Sequence, residues 1–224
     1  AQYAFQKIHD GGITGGMGKS SVNMNNMMYF RYGDSAKGWE LWVSDGTAAG
    51  TQMLKDIYSG TEGSEPDALF IFGGKLFFNA DDGINGCELW ISDGTASGTQ
   101  MLKDIKAGPM ASFPDLFTVY NTKLYFQADD GSAGRELWVS DGTETGTHIL
   151  KDINPGSGSA SPEGMIVYNN KLFFVADNGN GNRELWSSDG TETGTQMLID
   201  IFLGGISNLI HNFTALFKHL LPSS

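Results

Sequence analysis

The sequence predicts an all-β chain organised as a β-propeller. Three observations carry that expectation: a motif recurring at constant pitch, several short β-compatible runs in each copy, and two-residue Gly or Asn turns between strands. Glu-Leu-Trp occurs at Glu40–Trp42, Glu88–Trp90, Glu136–Trp138 and Glu184–Trp186, each copy 48 residues after the last. Ser-Asp-Gly-Thr follows at the same interval, at Ser44–Thr47, Ser92–Thr95, Ser140–Thr143 and Ser188–Thr191. Lys-Asp-Ile begins at Lys55, Lys103 and Lys151 and becomes Ile199-Asp200-Ile201 in the last copy, while Pro66, Pro114 and Pro162 keep the spacing. No insertion breaks the register from Met27 to Ile201.

Each element follows from local chemistry. Thr51–Ile57 alternates loosely and is β-compatible, and Leu69–Phe72 is a short apolar run after a Gly/Ser/Pro loop. It meets Lys75–Ala80 across Gly73-Gly74 alone, and the counterpart pairs are Asn25-Asn26, Asn121-Thr122 and Asn169-Asn170. Gly and Asn tolerate the positive φ of a tight hairpin turn. The loop Asp81–Gly86 then leads into Glu88–Ser92, where alternation puts Leu89 and Ile91 on one face and Glu88, Trp90 and Ser92 on the other. A helical solenoid is disfavoured because the repeats carry no 3.6-residue period, and a two-layer sandwich would not require the same turn at every forty-eighth residue. The units read as a degenerate 1–49, then 50–97, 98–145 and 146–193, with a closing strand over 195–201. This division favours four blades and leaves five open.

The run Glu-Leu-Trp-x-x-Asp-Gly-Thr, with the following Gly-Thr and Lys-Asp-Ile, resembles the ELWxxDGT repeat family. That family occurs mostly in large exported or surface bacterial proteins. The resemblance covers residues 27 to 201 and implies a secreted or cell-surface, propeller-like repeat protein, without implying any particular chemistry.

Composition narrows the partners. With 26 acidic against 14 basic residues the net charge is −12, and no Lys/Arg cluster offers a nucleic-acid footprint. The lone Cys87 forms no intrachain disulfide and excludes a multi-cysteine metal site. No apolar run is long enough for a transmembrane span. The start at Ala1-Gln2-Tyr3 reads either as a processed, exported chain or as a fragment. Gly11–Ser21 is glycine-rich but lacks the strand and helix that a phosphate-binding loop needs.

Candidate sites come from the repeats and from the C-terminal segment. Asp81, Asp82 and Glu88, Asp129, Asp130 and Glu136, and Asp177 with Glu184 recur as acids around a Gly-containing loop. They read first as Asx turns and second as oxygen ligands for structural calcium, the only cofactor the sequence suggests. Asp45, Asp93, Asp141 and Asp189 read as turn-forming carboxylates. Trp42, Trp90, Trp138 and Trp186 serve either as packing between sheets or as repeated stacking platforms for sugar rings, with Trp39 a separate candidate outside the repeat position. After Asp200 no acid follows, and Ile206, Leu209, Ile210, Phe213, Leu216, Phe217, Leu220 and Leu221 form an apolar stripe at helical spacing. An amphipathic helix over 202–224 is therefore expected, docking through Leu209, Ile210, Phe213, Leu216, Phe217 and Leu220 on the chain itself, a sister subunit or a partner.

The leading functional expectation is a secreted, non-catalytic propeller binding glycans or surface polymers through repeated equivalent sites, without a catalytic residue. The alternative is a self-assembling subunit of an extracellular structure, using the terminal helix. A glycoside hydrolase is the remote third, since every prominent acid belongs to a repeat.

Overall fold

The computed structural model describes residues 21–199. Within them the chain is all β: sixteen strands form four four-stranded antiparallel sheets, each in simple sequence order. The first sheet holds β1 (Ser21–Met24), β2 (Met27–Asp34), β3 (Gly38–Ser44) and β4 (Gln52–Lys55). The second holds β5 (Asp67–Phe72), β6 (Lys75–Asp81), β7 (Cys87–Ser92) and β8 (Gln100–Lys103). The third holds β9 (Asp115–Tyr120), β10 (Lys123–Asp129), β11 (Arg135–Ser140) and β12 (His148–Lys151). The fourth holds β13 (Glu163–Tyr168), β14 (Lys171–Asp177), β15 (Arg183–Ser188) and β16 (Gln196–Ile199).

This topology corrects the phase of the sequence units. Gln52–Lys55 pairs with β3 and completes the first sheet, so a unit starting at residue 50 cuts each sheet before its last strand. The strand expected over 195–201 to close a ring or open a fifth unit is instead the last strand of the fourth sheet, with Trp186 opposite Met197. The expected helix over 202–224 lies outside the described residues.

The hairpin turns have the backbone their residues anticipate. Both residues are at positive φ in Asn25-Asn26, Gly73-Gly74, Asn121-Thr122 and Asn169-Asn170, as a tight turn matching strand twist requires. Thr122 is the misfit, since a β-branched residue at φ 58° crowds its own backbone.

The third-to-fourth strand connection is a polar knot built from Ser-Asp-Gly-Thr. In the second sheet Asp93 Oδ1 accepts from the Thr95 amide at 2.9 Å and its hydroxyl at 2.7 Å. Thr95 Oγ1 accepts from Gly98 N at 2.9 Å, while Ser92 and Thr99 hydroxyls meet at 2.7 Å. The first and fourth sheets repeat these contacts around Asp45 and Asp189. A Cβ on Gly50, Gly98, Gly146 or Gly194 would collide with the carboxylate of Asp45, Asp93, Asp141 or Asp189, which explains the second glycine of the motif.

The sheets fall into two compact units, Ala1–Asp115 with Gly142–Glu144, and Leu116–Asp141 with Thr145–Ser224. In the first, Met24, Tyr29, Leu41 and Val43 of one sheet pack on Leu76, Phe78, Ala80 and Trp90 of the next. In the second, Tyr120, Tyr125, Leu137, Val139 and Leu150 pack on Leu172, Phe174, Ala176 and Trp186. Sheets are thus apolar on both faces, and Glu, Leu and Trp of the motif are all buried in the first three copies.

Two substitutions test this account. Thr122→Asn, which supplies the residue found at Asn170, is expected to stabilise the protein by about 1 kcal/mol, seen calorimetrically as a Tm rise of about 2–4 °C. Gly98→Ala is expected to cost about 1–3 kcal/mol in the same measurement, because the new methyl displaces the Asp93 carboxylate.

Candidate functional site

The motif glutamates are the most deeply buried acids among the described residues, and Glu40, Glu88 and Glu136 each grip the loop that follows their own sheet. Glu40 Oε2 accepts from the Ile57 amide at 3.0 Å and the Ser64 hydroxyl at 2.6 Å, and Oε1 accepts from the amides of Tyr58 at 3.1 Å and Ser64 at 3.0 Å. Glu88 takes the Ile105 amide at 2.8 Å, the Ser112 amide at 2.9 Å and the Ser112 hydroxyl at 2.6 Å. Glu136 takes the amides of Ile153 at 2.7 Å and Ala160 at 2.9 Å. Ala160 stands where Ser64 and Ser112 stand, so backbone amides hold the third carboxylate.

Burial raises the pKa of Glu40 and pushes those of Glu88 and Glu136 to about 7, against the opposing pull of their amide donors. Asp45, Asp93 and Asp189 go the other way, because the Thr47, Thr95 and Thr191 hydroxyls and amides favour the charged form.

The residues expected to hold calcium are not gathered by the structure. Asp81 Oδ1 accepts from Gly83 N at 2.7 Å, and Asp82 Oδ1 from the Ile84 and Asn85 amides at 2.9 and 2.8 Å. Asp129 and Asp130 accept from Gly131, Ser132 and Ala133, and Asp177 accepts from Gly179. These are Asx turns. Glu88 and Glu136 spend their oxygens on the next loop, and Glu184 is buried as well. Among the described residues no group of three acids, histidines or cysteines is placed to hold a metal ion.

Of the two uses expected of the repeated tryptophans, burial fits packing between sheets. Trp42, Trp90, Trp138 and Trp186 are only 5–8% exposed, so their faces are not open platforms for a sugar ring. Phe78, Phe126 and Phe174 lie against Trp90, Trp138 and Trp186 at centroid distances of 6.3, 6.3 and 6.4 Å. Trp90 and Trp186 join the clusters between neighbouring sheets. The docking set Leu209, Ile210, Phe213, Leu216, Phe217 and Leu220 lies outside the described residues.

Trp39 differs. It is half-buried at the start of β3, where later copies have Cys87, Arg135 and Arg183. Its ring lies on Gly33, where a Cβ would come within 2.7 Å of the indole. The Arg31 guanidinium sits 4.9 Å from the ring centroid and pairs with Glu65 at 3.0 Å. The Trp39 carbonyl accepts from Glu65 N at 3.0 Å, tying the corner together. Arg31 and Glu65 were not among the sequence candidates. Their signal was departure from the repeat, since Asn79, Gln127 and Val175 occupy the place of Arg31, and Phe113 and Ser161 that of Glu65.

Solved structures share this architecture. The β-propeller domain of the Trilobed protease from Pyrococcus furiosus, described as having an open velcro topology, matches at 15% identity with a TM-score of 0.52, over 83% of this chain and 55% of that one. The fold is of the β-propeller type, with each sheet a blade. The Pyrococcus horikoshii acylaminoacyl peptidase matches at 15% identity and TM-score 0.52 over 90% of this chain and 28% of its own. Puromycin hydrolase matches at 15% and 0.51, over 79% and 28%. The chain thus spans 28% to 55% of the length of these proteins. No protein-family model matches the sequence, and no curated protein matches it.

The buried glutamates predict a pH dependence. As pH rises from about 4.5 to about 7, the unfolded carboxyls ionise before those of folded Glu88 and Glu136, so their stabilisation is present at low pH and lost on the way up. Asp45, Asp93 and Asp189 act oppositely, their contribution falling away below the ordinary carboxylate range. Urea unfolding across pH is expected to show maximal stability near pH 4–5 and a loss of a few kcal/mol by pH 8. Glu88→Gln with Glu136→Gln is expected to flatten that slope. Glu136→Ala, which strands its amide partners, is expected to cost about 3 kcal/mol or more.

Proposed function

We propose that this chain is an exported, non-catalytic propeller module that binds glycans or surface polymers at the Trp39 corner of its first blade. The observation that carries the reading is that Trp39 alone of the five tryptophans is only half-buried, beside an Arg31–Glu65 pair. An indole edge flanked by a guanidinium and a carboxylate suits a sugar, whose C–H groups pack on the exposed edge while its hydroxyls bond the charged groups. A binding role rather than a catalytic one is supported by the motif acids, whose oxygens are engaged by amides and hydroxyls of the fold. The fourfold Glu-Leu-Trp-x-x-Asp-Gly-Thr pattern supports placing the chain with the exported ELWxxDGT repeat proteins.

A glycan array followed by calorimetry tests the proposal. Binding of at least one glycan class is expected, weakened about tenfold or more by Trp39→Ala and by Arg31→Gln, with the Tm of Arg31→Gln within a few degrees of the parent. A blank array, or binding indifferent to both substitutions, overturns it.

A further inference from the structure

We infer that Asn180 is a self-modification site, its side-chain amide converting in water to aspartate or isoaspartate through attack by the backbone nitrogen of Gly181. The sequence contains three Asn-Gly pairs, Asn85-Gly86, Asn178-Gly179 and Asn180-Gly181, all in loops between the second and third strands of a sheet. The reaction open to each is the same. The glycine amide gives its proton to solvent, and its nitrogen bonds to the asparagine Cγ. The Cγ–Nδ2 bond breaks, ammonia leaves, and water opens the resulting cyclic imide at either of its carbonyls. Glycine favours the attack because no side chain crowds its nitrogen.

The fold sets the three pairs apart. Gly179 N donates to Asp177 Oδ1 at 2.8 Å, as Gly83 N does to Asp81 and Gly131 N to Asp129, both at 2.7 Å. A nitrogen that must lose its proton beside a carboxylate is held back, because the like charge disfavours the anion. Asp177 therefore shields Asn178. Asn85 is half-buried, with Nδ2 tied to Asp82 Oδ2 at 2.8 Å. Its Gly86 is buried, so close to the next loop that a Cβ would come within 2.9 Å of the Met110 and Ala111 backbone. That side chain is tethered, and its attacking nitrogen is packed away from water.

Asn180 has neither protection. In the second and third copies the loop acid binds two successive amides at 2.8–2.9 Å, Asp82 taking Ile84 and Asn85, and Asp130 taking Ser132 and Ala133. The fourth copy has Asn178 at that position, and its Oδ1 takes the first of the two, Asn180 N, at 3.2 Å. The second is Gly181 N, which has no acceptor among the described residues. Asn180 and Gly181 are both exposed, and apart from chain neighbours nothing lies within 4 Å of a Cβ built on Gly181. The change from Asp to Asn thus leaves the attacking nitrogen unheld directly after an exposed asparagine. Either product places a new carboxylate on this hairpin, so chains of different age differ in charge at one defined place.

The test incubates the full chain at mildly alkaline pH and follows it by peptide mapping. Tandem mass spectrometry locates the exchange of NH2 for OH and separates isoaspartate from aspartate. In the folded chain Asn180 is expected to convert about tenfold or more faster than Asn85 and Asn178. In urea the three are expected to convert at similar rates, since each precedes a glycine. Asn178→Asp, which restores the residue of the second and third copies, is expected to slow Asn180 about tenfold in the folded chain and not in urea. Conversion of folded Asn180 no faster than that of Asn85 and Asn178 overturns the inference. So does a difference that persists unchanged in urea, which assigns it to neighbouring residues rather than to the loop, and so does a folded rate indifferent to Asn178→Asp.

Discussion

The interaction on which the rest depends is the grip of a buried glutamate on the loop leaving its own sheet. A carboxylate removed from water is costly unless its lone pairs are filled, and Glu40, Glu88 and Glu136 fill them with amides of the inter-sheet loop. Each grip fixes where the chain turns as it leaves its sheet. The loops Asp56–Pro66, Asp104–Pro114 and Asp152–Pro162 contain no secondary-structure ladder of their own, and these bonds satisfy amides that would otherwise be buried alone.

Around that grip the repeat divides its labour cleanly. Leucine and tryptophan of the motif seal opposite faces of the sheet, and Ser-Asp-Gly-Thr ties the third strand to the fourth through hydroxyl and carboxylate bonds. Residues that recur are therefore committed to holding the frame, and individuality is left to positions that change from copy to copy. Trp39, Arg31 and Glu65 are such positions, and they converge on one corner of one sheet.

The strands, the hairpin turns and the all-β class were legible because they rest on local chemistry: alternation, glycine and asparagine at positive φ, and turn-forming aspartates. The phase of the repeat was not. A period states how far apart equivalent residues lie, but not whether Gln52–Lys55 ends one sheet or begins the next; the pairing of Trp42 with Met53 decides that. The tryptophans stayed open between packing and stacking because alternation tells which face a residue occupies, not whether that face is covered. Adjacent Leu41 and Trp42, apolar on both faces, were the available sign of two-sided burial. The grip of Glu88 was not legible because it is made in good part to the backbone amides of Ile105 and Ser112, which leave no mark on side-chain identity, with the Ser112 hydroxyl beside them.

Every sheet is cut from a single unbroken stretch of chain, with no strand borrowed from elsewhere among the described residues. A gene encoding such a protein can gain or lose copies by unequal crossing-over between its own repeats, and each product still specifies whole sheets wherever within the period the exchange falls. Array length is then a quantity that evolution can adjust in single steps, without passing through an intermediate that leaves a strand unpaired.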